Sequence, residues 1–435
     1  MPASWAERLE ELLAFLDRHD PNRGFRFEGE AKEVFDRLSR GVKKAFIREA
    51  VGASSIKRAK DWIKTFRDEL DRCARALGAR GFLLSKELKS FIEDPEAHLE
   101  KKLQFYLYDL LRGRVSREEF EERGRAAVTT SLMTNLRSVY QDWVLLALWS
   151  IMAEDHGAEI AYPEHRCLHL ERLGRQRLGE INPNLILHVW GRGSLSFFLE
   201  APRPVGWEDT SDLMKAWRLY VALRPDIMVH GGLVMNLVDP SRDPPIAPPD
   251  VIIECKELVD WYIRVRDVKG PLAKPLTVEE WRSKWIQGLY EGLADILGVT
   301  PSKAAERVKE QRGLRLREDH VVVLYRSFYR PRAMYLVCRA RTPGDVKRYL
   351  EGEGVTVIDG VGFRRDALRV LAEEVVKVAR PSTRLEELSA RLLSTLSGAG
   401  VKLTPQGLVE SALRYVEERL QDFAGWLKNT APPEA

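Results

Sequence analysis

The chain has 435 residues, 44% of them hydrophobic and 31% charged, enough for two or three domains with sizeable cores, which excludes a disordered tail or a fibre. No run of about 18 apolar residues is present to span a bilayer, and the opening MPASWAERLEELLAFLDRHD is an amphipathic helix containing acids, so a cytoplasmic protein is expected. The four cysteines (Cys73, Cys167, Cys255 and Cys338) form no CxxC pair, which points away from a disulfide framework or a thiolate zinc site.

The first 125 or so residues read as helices, with Leu9, Leu12, Leu13 and Leu16 on one stripe and Phe105, Leu107, Leu110 and Leu111 on another. Within them KKAFIREAVGASSIKRAKDWIKTFRDEL predicts two helices meeting near Gly52, with Ser54 or Ser55 capping the second. Lys57, Arg58, Lys60, Lys64 and Arg67 would face mostly away from Ile56, Ile63 and Phe66. That pattern fits a helix-turn-helix that places its second helix in a DNA groove, and equally an ordinary helical hairpin. A long apolar helix ends at Gly157. Beyond it NLILHVW and SLSFFLEA flank a GRG turn and predict a hairpin. A helix over 211–222 is expected next, then the strands DIMVHGG and DVIIECKEL. The helix TVEEWRSKWIQGLYEGLADILG follows, capped by Thr277, and then two strands, HVVVLYRSF and AMYLVCRA. VTVIDG reads as a short strand, and a final helix starts at Thr404–Pro405.

The charge is unevenly spread. The net +4 hides local excesses of +6 over residues 41–80 and +7 over 303–341, leaving −9 for the remainder. Two basic stretches in one chain favour a polyanionic partner over two solvated helix faces. High charge with arginine-rich helices and few cysteines also fits a thermophile.

The residues with chemistry lie in RPDIMV and DVIIECKEL. Asp226 opens one apolar strand, while Glu254 and Lys256, two apart on the next, share a face, with Cys255 pointing the other way. Buried charges cost several kcal/mol unless paired or metal-bound, so packing alone does not explain the trio. Two carboxylates and the Cys255 carbonyl offer hard oxygen ligands to magnesium or manganese, with Lys256 beside the attacking water or the phosphate. A surface salt bridge between Asp226 and Lys256 is the plainer reading, but it leaves Glu254 after Val251, Ile252 and Ile253 unexplained.

Pro225–Asp226, a loop, and then Glu254–Cys255–Lys256 resembles the PD-(D/E)xK nuclease superfamily, over perhaps residues 130–345. The resemblance implies an α/β (α+β) protein with a restriction-endonuclease-like αβββαβ core and mixed sheet. It would comprise a helical domain over 1–125, the nuclease-like domain over 126–380 and a helical extension over 381–435. It implies metal-dependent phosphodiester hydrolysis with Mg or Mn as cofactor, Asp226 and Glu254 as ligands and Lys256 as the catalytic lysine. DNA is the expected substrate and RNA the alternative; a homodimer and a repair or defence partner are compatible with the resemblance, and no membrane is involved. A further acid is expected among Asp142, Glu154 and Glu200, with Glu200 preferred. Lys284 and Gln287, which share a helical face with Glu291, are candidate phosphate contacts, as are Arg264 and Arg266 in the stretch after the motif. The intervening 211–222 helix and the long proline-rich loop before Glu254 depart from the simplest members. The rival reading is a nuclease-fold protein that binds DNA or acts as a scaffold without cleaving. His165, Cys167 and His169 could approach zinc but lack a second ligand cluster.

Overall fold

The computed structural model describes residues 3–171, 181–207, 217–220, 223–239, 241–242, 245–268, 284–311 and 314–381. Six helices come first: α1 (Trp5–His19), α2 (Gly29–Val51), α3 (Ala53–Leu77), α4 (Lys86–Glu93), α5 (Pro95–Leu111) and α6 (Arg117–His156). Ser4 with Glu7 and Ser116 with Glu119 form reciprocal capping boxes that fix the starts of α1 and α6. Gly157, in the left-handed region at φ 62°, ends α6 where the sequence places the stop.

A seven-stranded sheet follows, of β1 (Ala158–Tyr162), β2 (Leu185–Val189), β3 (Gly193–Leu199), β4 (Ile227–Gly231), β5 (Val251–Lys256), β6 (Ala333–Cys338) and β7 (Thr356–Ile358). They lie side by side in chain order. Neighbours from β1 to β5 are antiparallel, whereas β5–β6 and β6–β7 are parallel. The parallel steps require crossovers. The crossover from β5 to β6 contains α7 (Lys284–Leu297), α8 (Pro301–Gln311) and α9 (Glu318–Tyr329); that from β6 to β7 is α10 (Gly344–Gly352), and α11 (Arg369–Val376) follows β7.

Period-two alternation assigns the sheet's side chains to two cores. Leu195, Phe197, Ile227, Val229, Val251, Ile253 and Cys255 join α1–α6 and α11, while Phe198, Met228, Ile252, Met334 and Leu336 join α7–α10. The expected boundary at 125/126 falls inside α6, and the N-terminal helices share one apolar cluster with the sheet.

Several local expectations are corrected. HVVVLYRSF lies in helix α9, buried nearly all round between the sheet and its neighbouring helices, so its apolar run carries no period that separates helix from strand. Trp217–Tyr220, expected inside a helix, is a strand paired with Arg203–Trp207; 211–216 lie outside the described residues, as do Thr277, Thr404 and the 382–435 part of the extension. Helix α3 starts at Ala53, with Gly52 (φ 78°) as its cap residue, so neither Ser54 nor Ser55 caps it. At 23 and 25 residues, α2 and α3 are long helices that pack on α5 and α6, which departs from a compact helix-turn-helix.

A strap crosses the far end of β3 and β4. The Ser194 N–H donates to the Arg380 carbonyl (2.8 Å), Arg380 returns the bond (3.2 Å), and a Cβ at Gly231 would collide with the Val378 carbonyl. Gly231→Ala is expected to cost about 1–3 kcal/mol, read as a lower urea midpoint; an unchanged midpoint would remove the strap's structural role. Nearby His230 is 3% exposed, and burial pushes its pKa down to about 4. Because the folded value lies below the unfolded one near 6.5, its destabilisation is absent at neutral pH. It begins as pH falls through 6.5 and is complete below 4. Relative to His230→Phe, the wild type is expected to lose about 3 kcal/mol of unfolding free energy between pH 7.5 and 4.

Candidate active site

Extending the β4–β5 register by one residue sets Asp226 opposite Glu254, and the two are tied through the backbone. The Asp226 N–H donates to Glu254 Oε2 (3.2 Å), and the Cys255 N–H donates to Asp226 Oδ2 (2.8 Å). Both carboxylates are 1% exposed. Lys256 shares the face of Glu254, as alternation requires, and its Nζ donates to Glu254 Oε1 (3.0 Å) and to Glu318 Oε2 (3.0 Å) at the start of α9. From α6, Arg137 donates to Asp226 Oδ1 (3.1 Å) while leaving 43% of its side chain in solvent. Four elements therefore converge at the carboxyl end of β5.

The electrostatics follow from that crowding. Burial, reinforced by the charge of Asp226, pushes Glu254 up to about 7. Burial works against the Lys256 ammonium, but Glu254 and Glu318 more than offset it, so its pKa is raised. Arg137 is held still more firmly in its charged form, first by Asp226 and then by Glu254 and Glu200. Burial opposes the Glu318 carboxylate, yet Lys256 prevails and lowers its pKa.

Beside the pair lies a cavity of about 320 Å³ whose walls include Ser138, Gln141 and Asp142 of α6, Glu171, Glu200 and Arg224. Of the candidate acids, Glu200 and Asp142 both face it, whereas Glu154 is engaged elsewhere by Arg365 and Arg72. Burial, followed by the charges of Glu200 and Asp226, raises Asp142 well above the usual carboxylate range. The Glu200 N–H donates to the Asp226 carbonyl (3.0 Å), which anchors this acid next to the pair. The Cys255 thiol points into the opposite core and burial drives its pKa up, so only its backbone belongs to the site.

The donor set suits a hard divalent cation: two adjoining carboxylates whose mutual repulsion is visible in Glu254. Among the described residues no three Asp, Glu, His or Cys side chains converge closely enough to hold an ion unaided, so Asp226 and Glu254 would need further oxygens from water, substrate or a shifted Glu200. The same holds for His165, Cys167 and His169, which lie around a short strand paired with Gly81–Leu83.

The predicted phosphate contacts are dispersed. Lys57, Arg58, Lys60 and Lys64 are all exposed on α3, and Lys60 pairs with Glu96 (3.1 Å). Arg264 pairs with Asp260 (3.2 Å), and half-buried Arg266 donates to the Tyr325 hydroxyl (3.3 Å) on α9. Lys284 and Gln287 lie on α7 as expected, but their side chains fall outside the described residues. Arg137 and Glu318 are the site residues that sequence reasoning missed. A cation at position 137, one helical turn from Gln141 and Asp142 in the largely apolar second half of α6, was the available signal for the first. Glu318 was obscured by reading the segment after it as a strand.

No family model matches the chain, and comparison with curated proteins and with solved structures finds no match either. Among the described residues no helix is long and apolar enough to cross a membrane.

Proposed function

We propose that this protein is a magnesium- or manganese-dependent nuclease that hydrolyses phosphodiester bonds in DNA. The observation that carries the reading is the buried Asp226–Glu254 pair with Lys256 3.0 Å from Glu254, at the carboxyl end of a strand. Polar groups this expensive to bury are far more useful to chemistry than to packing. With β1 and β2 inserted after α6 and α7 and α8 added to the crossover, the order α6, β3, β4, β5, α9, β6 is compatible with a restriction-endonuclease-like αβββαβ core. Asp226 and Glu254, with the Cys255 carbonyl and Glu200, would hold the ion; when bound, it supplies charge stabilisation on the phosphate and a more acidic water. Arg137 and the backbone N–H of Cys255 orient Asp226. Lys256, kept as an ammonium by two carboxylates, is suited to neutralising the phosphate as charge builds and less suited to taking a proton from water. The second reading, a DNA-binding protein without cleavage, is favoured by Arg137, which already occupies one oxygen of Asp226.

Incubation of plasmid and single-stranded DNA with Mg²⁺ or Mn²⁺ separates the two. Cleavage by the wild type, reduced by about a thousandfold or more in Asp226→Ala, is expected. Cleavage that survives the substitution would sink the proposed site, and binding without cleavage across several metals would favour the second reading. Competition between DNA and RNA decides the substrate.

A further inference from the structure

The carboxyl end of β6 carries a second cationic feature, on the other side of the sheet from Lys256. Arg339 directly follows β6, and its N–H donates to the Lys256 carbonyl (2.9 Å), so its backbone adjoins the candidate site. Its side chain turns to the α3 face. There the guanidinium lies over the Trp62 ring, 5 Å away to the nearest ångström (4.9 Å to the centroid), and Nε donates to the Glu257 carbonyl (2.6 Å). Arg58 stands one helical turn before Trp62 on the same side of α3, exposed and with no acidic partner among the described residues. Arg339 likewise forms no ion pair among them. Two guanidinium groups thus share one side of α3, with Arg339 fixed on the Trp62 ring and the Glu257 carbonyl and neither ion-paired among the described residues.

An arrangement of this kind is unfavourable alone and becomes favourable when an anion bridges the two forks. The two charges interact: burial is the first cause that lowers the pKa of Arg339 and the charge of Arg58 adds to it, against Tyr140 and Glu257. Lys57 and Lys64, also exposed and without acidic partners among the described residues, extend positive charge along α3. Ligands of open α/β sheets gather outside the carboxyl ends of the parallel strands, and Arg339 and Lys256 sit at that one edge, on opposite faces of the sheet.

We propose that Arg58 and Arg339 form a phosphate site that grips the backbone of a DNA strand as it passes over the carboxyl edge of β5 and β6. That Lys256 marks the cut position rests on the nuclease reading; the grip itself does not. Asp226→Ala protein in EDTA, titrated against fluorescein-labelled single-stranded and duplex oligonucleotides over a range of salt, tests it by anisotropy. Adding Arg58→Ala and Arg339→Ala should weaken binding at least about tenfold and reduce the slope of log K against log salt by about 1.4–1.8, the share of two phosphate contacts. Arg58→Glu alone, at a side chain that makes no intramolecular bond among the described residues, should weaken binding without lowering the melting temperature. Affinity and slope within twofold of the parent in both variants, or a parent that binds neither DNA, would overturn the proposal. If the wild type cleaves nothing but the double variant still loses affinity, the phosphate site stands and the nuclease reading falls. If the wild type cleaves while affinity and slope are unchanged, the reverse holds.

Discussion

Lys256→Met is expected to damage stability and cleavage together. It keeps the length of the side chain but leaves Glu254, 1% exposed, and Glu318 without the cation that bridges them at 3.0 Å each. Removing one member of a buried pair typically costs about 3–5 kcal/mol, because the remaining charge stays desolvated. Glu254, already pushed up to about 7 by burial and Asp226, can relieve part of this by taking a proton, so a loss near the lower end is expected in urea unfolding at pH 7.5. Metal-dependent cleavage should fall by about a hundredfold to a thousandfold, the scale for one electrostatic contact to a transition state. Glu318→Gln separates the two roles: Glu318 is 18% exposed, so its loss should cost less stability. Unchanged stability and cleavage in Lys256→Met would show the bridge to be incidental.

Trp143→Ala should be the largest purely structural lesion. Trp143 is 1% exposed in the middle of α6, stacked near Tyr140 (centroids 6.2 Å) and edge-on to Phe363 (5.0 Å). Phe363 in turn meets Trp62 of α3 (5.1 Å). Truncation removes the link between α3, α6 and the loop after β7, and a loss of about 3–5 kcal/mol is expected in chemical denaturation. A loss under about 1 kcal/mol would mean that the cluster closes over the gap. The same helix carries Arg137, so if the protein binds DNA as proposed, binding by Trp143→Ala should decline only in proportion to its unfolded fraction.

The strands and the acid pair were legible because they rest on a period of two that survives burial on both faces. Ile252 and Ile253 go to opposite cores, so Glu254 and Lys256 had to face the same one. The long helix was legible from its length and from the glycine that ends it. What sequence reasoning misplaced was decided by packing. Val321, Val322 and Val323 favour a strand, yet α9 is covered on nearly every side and tertiary contacts override the propensity. The partners of Asp226 and Lys256 come from positions 89 and 62 residues away in the chain, and no local pattern announces such a meeting. Arg339 was hidden in the same way, as one arginine in a basic stretch until Trp62 was placed beneath it.

The sheet whose spatial order repeats its chain order has a bearing on how the molecule is made. As the chain leaves the ribosome from its amino end, each new strand from β2 onward can dock on the one just before it, and no strand must be threaded between two that are already paired. Synthesis therefore adds the charges of the centre in the sequence Arg137, Asp226, Glu254, Lys256 and finally Glu318. The acids are never left for long without a cation nearby: Arg137 precedes Asp226, and Lys256 is made two residues after Glu254. Only with α9 does the lysine gain its second carboxylate. A nascent chain stalled before α9 would therefore carry the carboxylate pair but lack the second contact that holds its lysine.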